Sequence, residues 1–169
     1  PGFVQAGSDL LRSKSFDGNS YDSGDWFNDV HWNCADGNGF GRGLPPAASN
    51  SGKWSYMTPL LQDSALRPDC AATTATSAAY QDLTRIAASS PLFSLGTGAA
   101  VQQGVTFPLS GADETPRVVT MRLTGADPHW KSITVVFNAT PTKQTQKIDS
   151  LRGASVALHP IQAGGADDR

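Results

Sequence analysis

The sequence predicts a mixed α and β protein in two parts, a loop-and-helix part spanning 1–95 and an antiparallel β part spanning 96–169. Three observations predict it. From Ser13 to about Lys53 no apolar period of either 2 or 3.6 is sustained, and Gly, Asn, Asp and Ser dominate. Residues Ala71–Ser89 then carry a helical period, and after Gly96 short alternating runs follow one another between turn residues.

Taken in order, residues 2–6 (Gly-Phe-Val-Gln-Ala) read as a short strand ending at Gly7. A strand this short needs partners to persist. Asp9–Arg12 reads as the start of a helical turn. A structureless run as long as 13–53 is either functional or disordered. Its aromatics Tyr21, Trp26, Phe27 and Trp32, interleaved with Asp17, Asn19, Asp22, Asp25, Asn28 and Asp29, argue against disorder. Residues 54–62 read as a short helix with Trp54, Met57 and Leu61 on one side, and Pro59 must lie in its first turn or kink it. In the helix over 71–89, Tyr80, Leu83, Ile86 and Ala87 fall at helical spacing and Pro91 is the stop. Strands are expected at Val101–Phe107, Arg117–Leu123, Ser132–Asn138 and Ser155–His159, with Val119, Met121 and Leu123 on one buried face. The tail from Ala163 is expected to fray.

The 169 residues suffice for one domain, or for a small domain plus a piece of another, but not for two of full size. Hydrophobic content of 38% with 17% charge, 17 Gly and 11 Pro describes a loop-rich, secreted style of chain. A net charge of −2 and a pI near 5.8 supply no basic field, so no nucleic-acid partner is expected. No apolar run approaches the roughly 18 residues a membrane span needs, so no membrane partner is expected either. Cys34 and Cys70 lie far apart outside any CxxC pattern; the spacing reads as two free thiols, with a single disulfide as the alternative.

Generic catalytic patterns are missing. There is no GxSxG, no GxxxxGK[ST] and no HExxH, and Gly37–Gly43 fails the GxGxxG spacing. His31, His129 and His159 are isolated and read as surface or turn histidines. The acidic stretch 17–36 has the oxygen ligands calcium favours but fails the EF-hand rule, since the twelfth position of a loop begun at Asp36 is Ala47. No cofactor is expected for this chain, a calcium site of a kind other than the EF-hand being the one alternative left open. The sequon Asn138-Ala-Thr140 precedes Pro141 and reads as chance. What remains is the dense mixture of carboxylates, amides and aromatics over 6–28. Polar groups there can bond sugar hydroxyls and ring faces can stack on a pyranose. Equally, the aromatics can simply cover the end of a core.

The order of residues is more specific than their composition. The run AGSDLLRSKS at 6–15 followed by NSYDSGDWFN at 19–28 resembles pullulanase-type α-1,6-glucosidases, the bacterial pullulanases and plant limit dextrinases. The likeness continues through Gly43-Leu-Pro45, Asp82-Leu83, Arg85-Ile86, Ser89–Gly96 and Val135–Pro141 to Leu158-His-Pro160, nearly the whole chain. By this resemblance, 1–95 would be the terminal strand, long active-site loop and last helix of a catalytic (β/α)8 barrel, and 96–169 an antiparallel β-sandwich-like C-terminal domain that stops short of the family's final strands. A complete barrel needs about 250 residues and carries its active site on the loops after its strands, so the loop beginning at Gly7 would face the site. The family hydrolyses α-1,6 branches in pullulan and limit dextrins with an aspartate nucleophile, a glutamate acid/base and a second aspartate. All three lie on earlier strands, so the resemblance implies no catalytic residue in this chain. It implies a substrate-binding loop of Arg12, Asn19, Tyr21, Asp22, Asp25, Trp26 and Asn28, with an Arg12–Asp9 ion pair as the structural alternative for Arg12. The implied partners are an α-glucan and the rest of the barrel, and the implied location is extracellular. Two positions depart from the pattern: Gly18 stands where the family usually has Arg, and His31–Ala35 is atypical.

Overall fold

Residues 13–53 close on themselves through hydrogen bonds rather than apolar packing. In the computed structural model, which describes residues 3–112 and 114–166, Ser13 N donates to the Asn38 carbonyl at 2.8 Å and the buried Ser15 hydroxyl donates to the Gly39 carbonyl at 2.9 Å. Asn38 is the hub. It adopts the left-handed conformation that Asn tolerates well, accepts from His31 N through Oδ1, and donates through Nδ2 to the Leu10 carbonyl. Gly39 is required beside it: its φ is +92°, and a β-carbon would lie 2.4 Å from the Ser13 carbonyl oxygen. The amide-rich run is thus an ordered scaffold, as its aromatic density suggested.

The chain divides into two compact units, Pro1–Leu83 with Gly164–Arg169, and Thr84–Ala163. In the first, short helices α1 (Asp25–Asn28), α2 (Ala47–Asn50) and α3 (Trp54–Gln62) precede the long α4 (Cys70–Ala88), whose residues up to Leu83 belong to this unit. Helix α3 has the expected bounds and buries Met57 and Leu61. Pro59 falls at its sixth position rather than in its first turn. It leaves the Ser55 carbonyl without an amide donor one turn on, while the Thr58 hydroxyl donates to the Trp54 carbonyl at 2.7 Å. Helix α4 forms as predicted, but its buried residues are Thr73 and Asp82, and Leu83 is 65% exposed. The apolar period thus marks the helix within one residue at each end.

Two sequence expectations are corrected in this unit. Cys34 and Cys70 are bonded to each other, with Cα atoms 4.7 Å apart; spacing in sequence could not reveal that the loop returns to the start of α4. The strand expected at 2–6 does not form among the described residues: positions 3–5 join no strand, and Phe3 and Val4 are exposed. An extended segment without a neighbouring strand has no ladder to join. The tail is tied down as far as Ala166, whose amide donates to Asp82 Oδ2 at 2.7 Å; residues 167–169 lie outside the described ones.

In the second unit, α5 (Gly98–Gly104) leads into a three-stranded antiparallel sheet of order β1 (Val105–Thr106), β2 (Val118–Leu123) and β3 (Ile133–Asn138). The expected strand at 101–107 is therefore mostly helix. Thr97 is the reason: its hydroxyl accepts from Ala100 N and caps the first turn. Residues 155–159 form no strand, and Val156 and Leu158 are exposed. The register pairs Val119 with Phe137, Met121 with Val135, and Leu123 with Ile133 on one face. Burial is deepest at Leu123, Val118 and Thr120, whereas Val119 is 44% exposed, so the predicted inner face is covered at one end only. After the sheet, the one α-helix among the described residues is α6 (Pro160–Ala163).

Leu92, 1% exposed, is the largest fully buried side chain among the described residues. The Ser90 hydroxyl accepts from Leu92 N and donates to Asp127 Oδ2 at 2.6 Å, and Asp127 Oδ1 accepts the amides of His129 and Trp130. Leu92→Ala should destabilise this unit by about 3 kcal/mol, the cost of lost burial plus an unfilled cavity. Chemical denaturation monitored at Trp130 would measure it; a loss below about 1 kcal/mol would show that the site collapses around alanine.

Candidate functional site

The region that the sequence nominated for sugar binding contains a cleft of about 400 Å³, bordered by Gln5, Ala6, Ser8, Arg12, Lys14, Asp17, Gly18 and Ser20. The 3₁₀ turn Ser8–Leu10 delivers Arg12. Its guanidinium donates to the carbonyls of Ala6 at 3.0 Å and Asn28 at 2.6 Å, so its hydrogen bonds go to main-chain oxygens rather than to Asp9. Arg12 Nε is buried without a hydrogen-bond partner among the described residues. Lys14 Nζ donates to the Ser20 hydroxyl and to Asn28 Oδ1.

Asp17 accepts from the Ser23 hydroxyl, from Asn19 N at 3.2 Å and from Asn50 Nδ2 at 3.1 Å. The Ser23 bond is the largest influence on its carboxyl and holds it below the ordinary value of 3.8, against the upward push of burial. A carboxylate fixed by three donors beside a lysine and an arginine is a rigid polar wall. Such a wall suits a ligand rich in hydroxyls, which can donate to the carboxylate and accept from the cations.

The seven nominated residues divide. Arg12 borders the cleft, and it is joined to Asn28 through the main-chain carbonyl of Asn28. The Asn28 amide is a structural hub, accepting from Lys14 and Ser20 and donating to the carbonyls of Ser20 and Gly24. Tyr21 and Asp22 occupy a 3₁₀ turn (Ser20–Asp22) and Asp25 opens α1; these three and Asn19 are exposed. Trp26, half exposed, meets Phe27 edge to face with centroids 4.5 Å apart. Sequence reasoning passed over Lys14, Asp17 and Ser20 as cleft residues. The only signal available was their position inside the two runs that carried the resemblance.

The atypical segment 31–35 lies beside a second polar cluster. His31 sits between Asp29 (Nε2 to Oδ2, 2.7 Å) and Asp36, while Arg42 donates to Asp29 Oδ1 at 2.7 Å and to the Trp26 carbonyl at 3.0 Å. Burial is the largest influence on the Asp29 carboxyl and raises it, but the His31 and Arg42 bonds together outweigh it, leaving the group below 3.8. Asp127 is lowered too, chiefly by the Ser90 hydroxyl. All three carboxyls are depressed in the folded state, so the stability they contribute is complete above 3.8 and is lost as pH falls through their lower folded values. The urea midpoint should therefore hold between pH 7 and 5 and drop below 3.8. Asp29→Asn should shrink that acid-side drop; an unchanged drop would remove Asp29 from the account.

Among the described residues no group of three or more His, Cys, Asp or Glu is arranged to hold a metal ion, and no helix is long and apolar enough to cross a membrane.

Known proteins that resemble this chain are glycosidases. It is 37% identical to Pullulanase 1, chloroplastic, of Arabidopsis thaliana over 98% of its own length and 18% of that protein's. It is 36% identical to the pullulanase of Klebsiella pneumoniae over 95% of its length and 15% of that protein's. The crystal structure of ligand-free PulA from Klebsiella pneumoniae superposes with a TM-score of 0.83 at 36% identity, covering 94% of this chain and 15% of that one. The maltotriose complex of PulA from the same organism gives 0.72 at 38% identity, over 80% and 15%. Residues 35–169 match the family of alpha-1,6-glucosidases, pullulanase-type, C-terminal, and the chain belongs to that family. It spans less than a fifth of the length of these relatives. The cleft residues precede the family match but fall within the span shared with the complete relatives.

Proposed function

We propose that this chain works as the C-terminal part of a secreted debranching glycoside hydrolase that cleaves α-1,6-glucosidic branches in pullulan and limit dextrins. In this reading 1–95 complete a catalytic (β/α)8 barrel, 96–169 form a β-sandwich-like domain, and the chain contributes substrate contacts rather than the reacting carboxyls. The observation that carries the reading is the likeness to pullulanases along almost the whole chain. Three features support it. The exposed Phe3 and Val4 suit a strand that pairs with barrel strands. The rigid polar cleft and the neighbouring exposed Tyr21, Asp22, Asp25 and Trp26 suit an α-glucan, and a homologous PulA has a structure titled as a maltotriose complex. The disulfide suits an oxidising, extracellular compartment.

The test has two arms. The 169-residue chain alone should release no reducing sugar from pullulan, because a retaining glycosidase needs two carboxyls about 5 Å apart across the scissile bond. The complete enzyme should hydrolyse pullulan. Activity of the isolated chain, abolished by changing one of its own acids, would overturn the assignment of roles; an inactive complete enzyme would overturn the substrate.

A further inference from the structure

We propose that Arg42 is a positioning residue for the substrate-binding loop, its guanidinium holding the short helix that carries Asp25 and Trp26. The proposal rests on the α-glucan reading above and deepens it. Helix α1 is one turn long, too short to persist on its own propensity. A helix of four residues also leaves most of its carbonyls without an amide donor inside the helix. Two arginines supply donors from outside it. Arg42 Nη1 donates to the Trp26 carbonyl at 3.0 Å, and Arg12 Nη2 donates to the Asn28 carbonyl at 2.6 Å. Cations at this end of a helix also meet the negative end of its dipole.

Arg42 is itself held. Nη1 donates to Asp29 Oδ1 at 2.7 Å, Nη2 donates to Asp36 Oδ2 at 3.2 Å, and the His31 ring lies against Nη2. The planar fork thus reaches a main-chain carbonyl and two carboxylates at once, a geometry that a single ammonium does not reproduce. The next residue bears on the Trp26 ring. A β-carbon on Gly43 would lie 3.1 Å from the indole, so the bare backbone at 43 forms one side of its seat, and Phe27 meets it edge to face. All of these partners belong to the first unit of this chain. Segment 42–43 therefore fixes both the main chain and the ring at position 26.

Steady-state kinetics of the complete enzyme on pullulan test this through KM, which a smaller folded fraction leaves unchanged. Arg42→Gln should raise KM at least about fivefold. Asp25→Ala combined with Trp26→Ala removes the groups that Arg42 is proposed to position, so in that background Arg42→Gln should change KM less than about twofold, the non-additivity of residues acting as one unit. Arg42→Lys keeps a cation beside Asp29 and Asp36 and serves if Arg42→Gln does not fold; it should raise KM about threefold, and wild-type KM for it would overturn the proposal. Wild-type KM for Arg42→Gln alongside altered kinetics of the Asp25→Ala, Trp26→Ala enzyme would overturn the role of Arg42 alone. Equal factors for Arg42→Gln in both backgrounds would place its action elsewhere than α1 and overturn it too. Wild-type kinetics of the Asp25→Ala, Trp26→Ala enzyme would overturn the reading of α1 as a sugar contact, and the proposal with it.

Discussion

Breaking the Cys34–Cys70 disulfide, by reduction or by Cys34→Ser with Cys70→Ser, should lower the stability of the first unit by about 4 kcal/mol. The bridge joins residues 36 apart in sequence, and closing a loop of that length restricts the unfolded chain by about this amount on the chain-entropy model. The enclosed segment holds the glycine-rich turn around Asn38, both short helices α2 and α3, and the approach to α4. Few apolar side chains hold it otherwise: among the described residues of this unit, Phe27, Pro45, Met57 and Leu61 are the buried large apolar side chains. Such a small core supplies little stability of its own. Urea unfolding with and without reductant, followed by the fluorescence of Trp26 and Trp54, measures the difference. Coincident midpoints would mean that the hydrogen-bonded loop holds without its cross-link.

The same feature marks the limit of what the sequence discloses. Helices α3 and α4 and strands β2 and β3 were legible within a residue or two, because each combines a regular apolar period with nearby Gly or Pro punctuation. Helix α5 was not. Val101, Val105 and Phe107 alternate like a strand, and only the capping hydroxyl of Thr97 decides for helix over the first seven positions. The missing strands at 2–6 and 155–159 have a different cause. A strand is a property of a pair, and residues with suitable alternation still need a neighbour to bond.

The candidate site was legible as a region and not as a geometry. Two runs of sequence marked 6–28, but the cleft gathers Arg12, Lys14 and Asp17, while the amide of Asn28 is consumed in holding Lys14 and Ser20. Nothing local distinguishes an asparagine that braces a loop from one that contacts a ligand; the difference lies in how many of its four hydrogen-bonding positions the fold already fills. The disulfide and the Asn38 hub are likewise non-local, joining residues that spacing alone leaves unrelated.

In the complete enzyme, Asp25→Ala should lower kcat/KM for pullulan by about a hundredfold while leaving the fold intact. Asp25 opens α1 behind Gly24 and is exposed, and the half-exposed Trp26 follows it in the chain. An exposed carboxylate next to an aromatic face can take two glucosyl hydroxyls while the ring covers the apolar side of the sugar. Each charge-assisted hydrogen bond contributes about 1.5–3 kcal/mol, so losing two corresponds to about two orders of magnitude at the lower figure. If the bonds form equally in ground and transition states, KM rises and kcat holds; if they tighten as the ring distorts, kcat falls with it. Both patterns identify a sugar contact. Unaltered kinetics in a variant with a wild-type unfolding midpoint would leave Asp25 as loop surface, and complete loss of turnover would give it a part in the chemistry that its exposed position on α1 argues against.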